Sequence, residues 1–312
     1  TKPVADSPDI IRLVLEKSRE ANLVNVLPVA AITINQEGKE LADIEGLKEA
    51  GAVALSEDGK SVMDSAIYEQ AMREAARLDM PVFAHCEDRS LAGKGVINAG
   101  RKAEQLGLCG ISNAVEDVIV ARDIMLAKHT GARLHICHCS TRDSTALIAL
   151  AKQAGLKVTG EVCPHHFALS DEDIPSDDAN YKMNPPLRSP EDVRALCEAL
   201  KNDIIDVIAT DHAPHSAEEK AESFKTSPFG IVGLETAFAL VMTALVKPGI
   251  LTLKQMVEKM SLNPAKILRI NKGSLKEGSI ADLVIADPDA EYLIDRESFY
   301  SKGKNTPFHG RR

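Results

Sequence analysis

Short apolar runs alternate along the chain with stretches whose apolar residues recur at helical spacing. The clearest run is IIDVIAT at residues 204–210, β-branched with one interior acid, which predicts a strand buried on both faces, as in a parallel sheet. Counting back in twos puts Asp211, Ala209, Val207 and Ile205 on one face, so Asp211 is expected to close this strand and point toward whatever the sheet encloses. Further strands are predicted at residues 24–28, 52–55, 81–84, 133–137 and 157–162. Helices are predicted between them: 8–22 behind Ser7-Pro8, a short amphipathic segment at 41–50, 63–78, a long helix opened by an Asn113/Glu116 capping box, 144–153, and 190–200 behind Ser189-Pro190. After Asp211, helices are expected around 233–245 and 253–260, and GSIADLVIADPDAEYLID (278–295) alternates in the manner of small antiparallel strands. The irregular loop at 167–188 is long enough to be expected to serve function.

Strict strand-then-helix alternation implies an α/β fold with a parallel sheet and right-handed crossovers, either open or closed. No G-x-G-x-x-G follows the first strand, which leaves dinucleotide binding without support. What favours a closed barrel is how the strands end. Asp58, His85, His138 and Asp211 each close or follow a different predicted strand, and the strand ends of a barrel converge on one mouth. Such a barrel needs eight strands, and the pattern supplies two fewer. Imidazole nitrogen and carboxylate oxygen are zinc donors. Singly, each of these residues reads as a core histidine or a turn acid; together they point to a shared metal mouth. His165 and His166 are expected to be structural or to hydrogen-bond behind ligands, and Cys137, Cys139 and Cys163 to be small buried residues. The acidic run at 171–178 is expected to be a solvated loop face.

Composition narrows the function. The chain has 312 residues, 44% hydrophobic, with 37 basic against 46 acidic residues and a net charge of -9. That leaves no electrostatic footprint for nucleic acid or an anionic membrane and favours a small-molecule substrate. Six cysteines without disulfide-scaffold density fit a reducing, cytoplasmic setting, and no run of apolar residues is long enough to span a bilayer.

Several motifs together carry a resemblance: AHCE (84–87), CHCST (137–141), EVCPHH (161–166), KMNPPLR (182–188), TDHAPH (210–215), SPFGI (227–231) and SKGKNTPF (301–308). The chain resembles dihydroorotases of the bacterial type I class, in the amidohydrolase superfamily. The resemblance implies a (β/α)8 TIM-type barrel holding one or two Zn2+ ions, and reversible ring closure of N-carbamoyl-L-aspartate to L-dihydroorotate in pyrimidine biosynthesis. It implies Asp58, His85, His138 and Asp211 as metal ligands, with Asp211 also shuttling the catalytic proton. Asn184, His215 and the backbone of Pro228, Phe229 and Gly230 are implied to contact substrate, and the loop through Asn184 to act as a lid.

The resemblance also has gaps. The family's H-x-H on its first strand and the arginine close behind it have no counterpart, and His165-His166 lie on another strand. The expectation is therefore an N-terminally truncated chain with little activity of its own. Residues 1–270 are expected to form a partial barrel without its first two strands, and 271–312 the remnant of a small β-domain. Alternative readings are a hydantoinase or allantoinase, or a non-catalytic partner of aspartate transcarbamoylase. A homodimer is the other partnership considered.

Overall fold

The computed structural model describes residues 2–312, and the apolar runs form parallel strands within it. They are β1 (Val29–Ala31), β2 (Ala54–Ser56), β3 (Pro81–Ala84), β4 (Ile97–Asn98), β5 (Gly110–Ile111), β6 (Arg133–Ile136), β7 (Val158–Val162) and β8 (Val207–Ile208). The chain divides into two compact units. The first takes the chain up to Arg89, Val115–Cys137 and Ala146–Gly160; the second takes Ser90–Ala114, His138–Thr145 and Glu161–Arg312.

In the first unit β1, β2, β3, β6 and the start of β7 pair in that order, all parallel, with Val29 opposite Ala54, Leu55 opposite Val82, Val82 opposite Leu134 and Leu134 opposite Val158. Leu55, Val82, Leu134 and Ile136 are almost wholly buried, as are Leu47 and Met72 from neighbouring helices. Full burial of a side chain of this size contributes about 1.5–3 kcal/mol, so this apolar seam is what holds the strand ends in place.

Some helices begin at side-chain caps, whereas Ser7 before Pro8–Ala21 makes no side-chain cap hydrogen bond. Asp64 accepts from the N–H groups of Ala66 and Ile67 at the start of Ser65–Arg77, and Ser189 accepts from Asp192 N–H at the start of Pro190–Lys201. Each such cap contributes about 1 kcal/mol and fixes where the chain turns. The helix Pro8–Ala21 ends at Asn22 in the left-handed conformation, φ 47°. Asn113 precedes the helix Ala114–Thr130, and its amide donates to Asp192 Oδ1 at 3.0 Å.

In the second unit the end of β7 pairs in parallel with β8, Glu161 opposite Val207, and β4 pairs with β5. An apolar cluster including Ile97, Leu169, Met183, Leu187, Phe224, Ile231 and Phe308 forms its core.

Three expectations need correction. Residues 24–28 precede the first strand, and Val24 is 73% exposed; pairing with β2 begins only at Val29. The strand expected over 204–210 shrinks to Val207–Ile208, because Ile204 and Ile205 N–H groups bond instead to the carbonyl of Ala199 at the end of the preceding helix. The alternating stretch at 278–295 contains no strand, and Val284 and Ile285 are fully or almost fully exposed. Alternation marks which face a strand would bury, but the strand itself exists only through a hydrogen-bonded neighbour.

Candidate active site

In the first unit the expected site residues begin where β2 stops. Glu57 is buried, and its Oε2 accepts from the N–H groups of Ile32 and Thr33 at 3.1 Å each while its Oε1 accepts from the Thr33 hydroxyl. This carboxylate ties the chain after β1 to the end of β2. Asp58, the next residue, donates its N–H to Ser56 Oγ and keeps a half-exposed side chain, with Oδ1 3.4 Å from Nδ1 of His85.

His85 follows β3 and is buried, and its Nε2 lies 3.2 Å from Glu87 Oε2. Ser61 locks this turn: its hydroxyl donates to the His85 carbonyl at 2.6 Å and accepts from Glu87 N–H at 3.0 Å. Burial alone would push the imidazole pKa down, but Asp58 and Glu87 overcome it and raise it to about 10. The surroundings of His85 thus favour positive charge. Carboxylate oxygen and imidazole nitrogen around such a point are the donor set a divalent cation takes, so the residues fit a metal ion.

In the second unit, His138 follows β6 with φ 35° and donates its N–H to Glu161 Oε1 at 3.3 Å, while Cys139 N–H bonds to the Glu161 carbonyl. Asp211 has φ 47°. That left-handed turn ends the alternation of the strand before it, so counting in twos from β8 does not fix the direction of Asp211. A non-glycine residue held at positive φ costs about 1–3 kcal/mol and is characteristic of functional positions. Two expected site residues carry it at strand ends.

His212 has a different task from its neighbour. Its Nδ1 accepts from the N–H groups of Gly233 and Leu234 at 3.1 and 3.4 Å. His215 and the 228–230 segment meet, as expected. His215 Nε2 bonds to the Phe229 carbonyl at 2.8 Å, and Asn305 Nδ2 donates to the carbonyls of Ala213 and Gly230 at 3.0 Å each while Asn305 Oδ1 accepts from His215 N–H. Gly230 has φ 127°, and a Cβ there would stand 2.6 Å from that of Ala213, so only glycine fits.

Two lysines secure the same segment from below. Lys220 Nζ donates to the carbonyls of Ala179, Lys182 and Pro228, and Lys182 Nζ to those of Phe224 and Ser227 with the Phe229 ring 4.5 Å away. Burial pushes the Lys220 amine down to about 8. Asn184 is half-buried and precedes Pro185 through a cis peptide bond. Nearby in sequence, Arg188 is buried and donates to Ser140 Oγ, Asn98 Oδ1 and the Ile111 carbonyl, joining the turn after His138 to β4 and β5.

The acidic run is solvated in part, as expected, with Glu172, Asp173 and Asp177 exposed, but its carboxylates also anchor the loop. Asp171 is buried and accepts from Asn98, Asp173 completes a capping box with Ser170, Asp177 accepts from Phe224 N–H, and Asp178 caps the turn at Asn180. His165 and His166 are buried with ring centroids 4.2 Å apart, and His166 Nε2 bonds to the Pro185 carbonyl at 2.9 Å. Burial drives both pKa values down, that of His166 to about 3, so both rings are neutral.

Glu57, Lys182, Lys220, Arg188 and Asn305 escaped sequence reasoning as anchors. For Lys182, Arg188 and Asn305 the one available signal was their position inside or at the edge of the quoted motifs, and Glu57 and Lys220 lie outside them.

A family model described as dihydro-orotase-like matches residues 1–144. A dihydroorotase of Anoxybacillus flavithermus is 52% identical over 310 residues, 99% of this chain and 72% of the relative. One from a Geobacillus species is 50% identical over 99% of this chain and 73% of its own length. Among solved structures, L-hydantoinase (dihydropyrimidinase) from Arthrobacter aurescens superposes with a TM-score of 0.85 at 28% identity, over 100% of this chain and 71% of that one. The parallel strands with helical connections are consistent with the (β/α)8 barrel.

Proposed function

The chain belongs to the dihydroorotase family, and from that membership we propose how its residues serve the reversible ring closure of N-carbamoyl-L-aspartate to L-dihydroorotate. It is a metal-dependent cyclic amide hydrolase. The metal is zinc in this reading, one or two ions held by Asp58, His85, His138 and Asp211. The observation that carries the assignment is the buried His85 imidazole with a carboxylate on each ring nitrogen, an arrangement that calls for a cation.

When bound, zinc would acidify water and polarise the ring amide carbonyl. The chain's own residues supply the rest. A carboxylate of Asp211 takes the proton of the attacking water and delivers it to the departing ring nitrogen; in the direction of ring closure it returns that proton. His215, with Nε2 engaged by the Phe229 carbonyl, and the backbone of Pro228, Phe229 and Gly230 form the wall against which the ring lies. Asn184 orients the substrate from the loop above and helps to exclude water.

Residues 1–270 form the catalytic part in this reading, since the last regular helix, Asn263–Leu268, ends just before that boundary. The chain works in the cytosol, a reading supported by cysteines that are all outside disulfides and by the absence, among the described residues, of a helix able to cross a membrane. The pairing of Asp58 and Glu87 with His85 favours catalysis over a purely structural partnership with another pyrimidine enzyme.

The test compares substrates. N-carbamoyl-L-aspartate should be cyclised, at the low rate expected of this chain, and hydantoin left largely untouched, and Asp211→Asn should lower kcat further, by up to about 10³-fold, with a smaller change in KM. Hydrolysis of hydantoin without turnover of carbamoyl aspartate would reverse the assignment.

A further inference from the structure

A second group of donors lies in the turn after β7. Cys163, in extended backbone before Pro164, precedes the short helix Pro164–Ala168, and His166 N–H bonds back to the Cys163 carbonyl at 2.9 Å. This tight turn gathers three side chains. One donor atom each from Cys163, His165 and His166 lies within 4.8 Å of the other two, and all three residues are buried.

The hydrogen bonding of the two rings is unusual. His166 gives its Nε2–H to the Pro185 carbonyl, which leaves Nδ1 with its lone pair, and that buried Nδ1 makes no hydrogen bond. Nε2 of His165 is likewise buried without a hydrogen bond. A buried polar atom left this way costs about 1–3 kcal/mol, so two side by side need an explanation. An imidazole that donates one N–H to a backbone carbonyl and keeps its other nitrogen bare is how ligating histidines are held.

We propose that Cys163, His165 and His166 form a cation site with a thiolate and two imidazoles as donors. It uses none of Asp58, His85, His138 and Asp211 and so goes beyond the proposed function. The donor set holds no carboxylate, which disfavours Mg2+ and Ca2+ and favours Zn2+ or Co2+. Donors on a tetrahedral zinc stand roughly 3.5 Å apart, which is inside the 4.8 Å that bounds these three. The Cys163 thiol loses its proton to solvent as the metal–sulfur bond forms, and the fourth position is left for water.

The full chain loaded with Co2+ should show a near-ultraviolet thiolate-to-metal charge-transfer band. Cys163→Ser should abolish it and lower bound metal by one ion per chain. No band in the unsubstituted protein, or a band that survives Cys163→Ser, overturns the proposal. If Cys163→Ser fails to fold, X-ray absorption on the zinc-loaded unsubstituted chain decides: sulfur at about 2.3 Å is expected, and a shell of nitrogen and oxygen alone overturns it. Neither readout depends on turnover, so this proposal and the dihydroorotase assignment fail separately.

Discussion

His85 in the first unit and His166 in the second are both buried imidazoles following parallel strands, yet their surroundings drive them to opposite charge states. His85 has a carboxylate on each ring nitrogen and a pKa of about 10; His166 has a backbone carbonyl on one nitrogen, a second imidazole beside it, and a pKa of about 3. Burial pushes both downward, so burial does not distinguish them. What distinguishes them is whether a carboxylate arrives, and that was decided by which residues follow each strand: Asp58 and Glu87 in one case, Pro164-His165-His166 in the other. One environment demands a cation. The other offers neutral lone pairs.

The largest effect should come from erasing the difference. Asp58→Asn combined with Glu87→Gln gives His85 uncharged neighbours, and zinc affinity, followed by competition with a chelator, should fall about 100-fold or more. Unchanged affinity would mean that His85 is not part of a metal centre.

The next effect is on acid stability. The folded pKa of His166 lies below its unfolded value, so its contribution is present above pH about 6.5 and is lost as pH falls toward about 3. The unfolding free energy from urea melts should drop through that window by up to about 1.4 kcal/mol per pH unit for this ring, and His166→Gln should flatten the slope. The metal-free protein should show the reverse on the alkaline side. His85 has a raised folded pKa, so its contribution is complete below about 6.5 and is lost as pH rises through about 10. Glu87→Gln should make that alkaline decline shallower, and an unaltered alkaline limb would show that Glu87 does not hold the charge on His85.

Smaller still are the substitutions that leave both imidazoles alone. Gly230→Ala should cost about 1–3 kcal/mol and raise KM more than it lowers kcat, because it strains the wall beside His215. His212→Gln should cost about 1 kcal/mol and leave metal affinity unchanged, since Nδ1 of His212 serves only the N–H groups of Gly233 and Leu234.

The helix Pro190–Lys201 was legible from Ser189-Pro190 and Ser65–Arg77 from its apolar spacing, and β3 was legible to the residue because PVFA opens on Pro81 and stops at His85. The start of β1 was misplaced because Leu23, Val24 and Val26 look like strand residues but pair with nothing that buries them. β8 was overestimated because hydrophobicity cannot show that a helix end will claim the first two N–H groups. In the site, Asp58 and His85 were readable as strand-end ligand types, whereas Glu57 is the same type as Asp58 and only its donors from Ile32 and Thr33 reveal a structural role. Lys182, Lys220 and Arg188 were illegible for a simpler reason. Charged residues are ordinarily on the surface, and what buries these three is a set of carbonyls and side chains contributed by distant loops. Asn305 joins two loops that lie far before it in the chain, a contact no local pattern encodes.

The most direct test of the central claim is to remove metal with a chelator, add zinc back, and follow interconversion of N-carbamoyl-L-aspartate and L-dihydroorotate alongside bound metal. The low activity expected of the unsubstituted chain should disappear with the metal and return with zinc, while Asp211→Asn and His85→Ala do not recover. Turnover that persists after the metal is gone, or that zinc restores equally to His85→Ala, would contradict it.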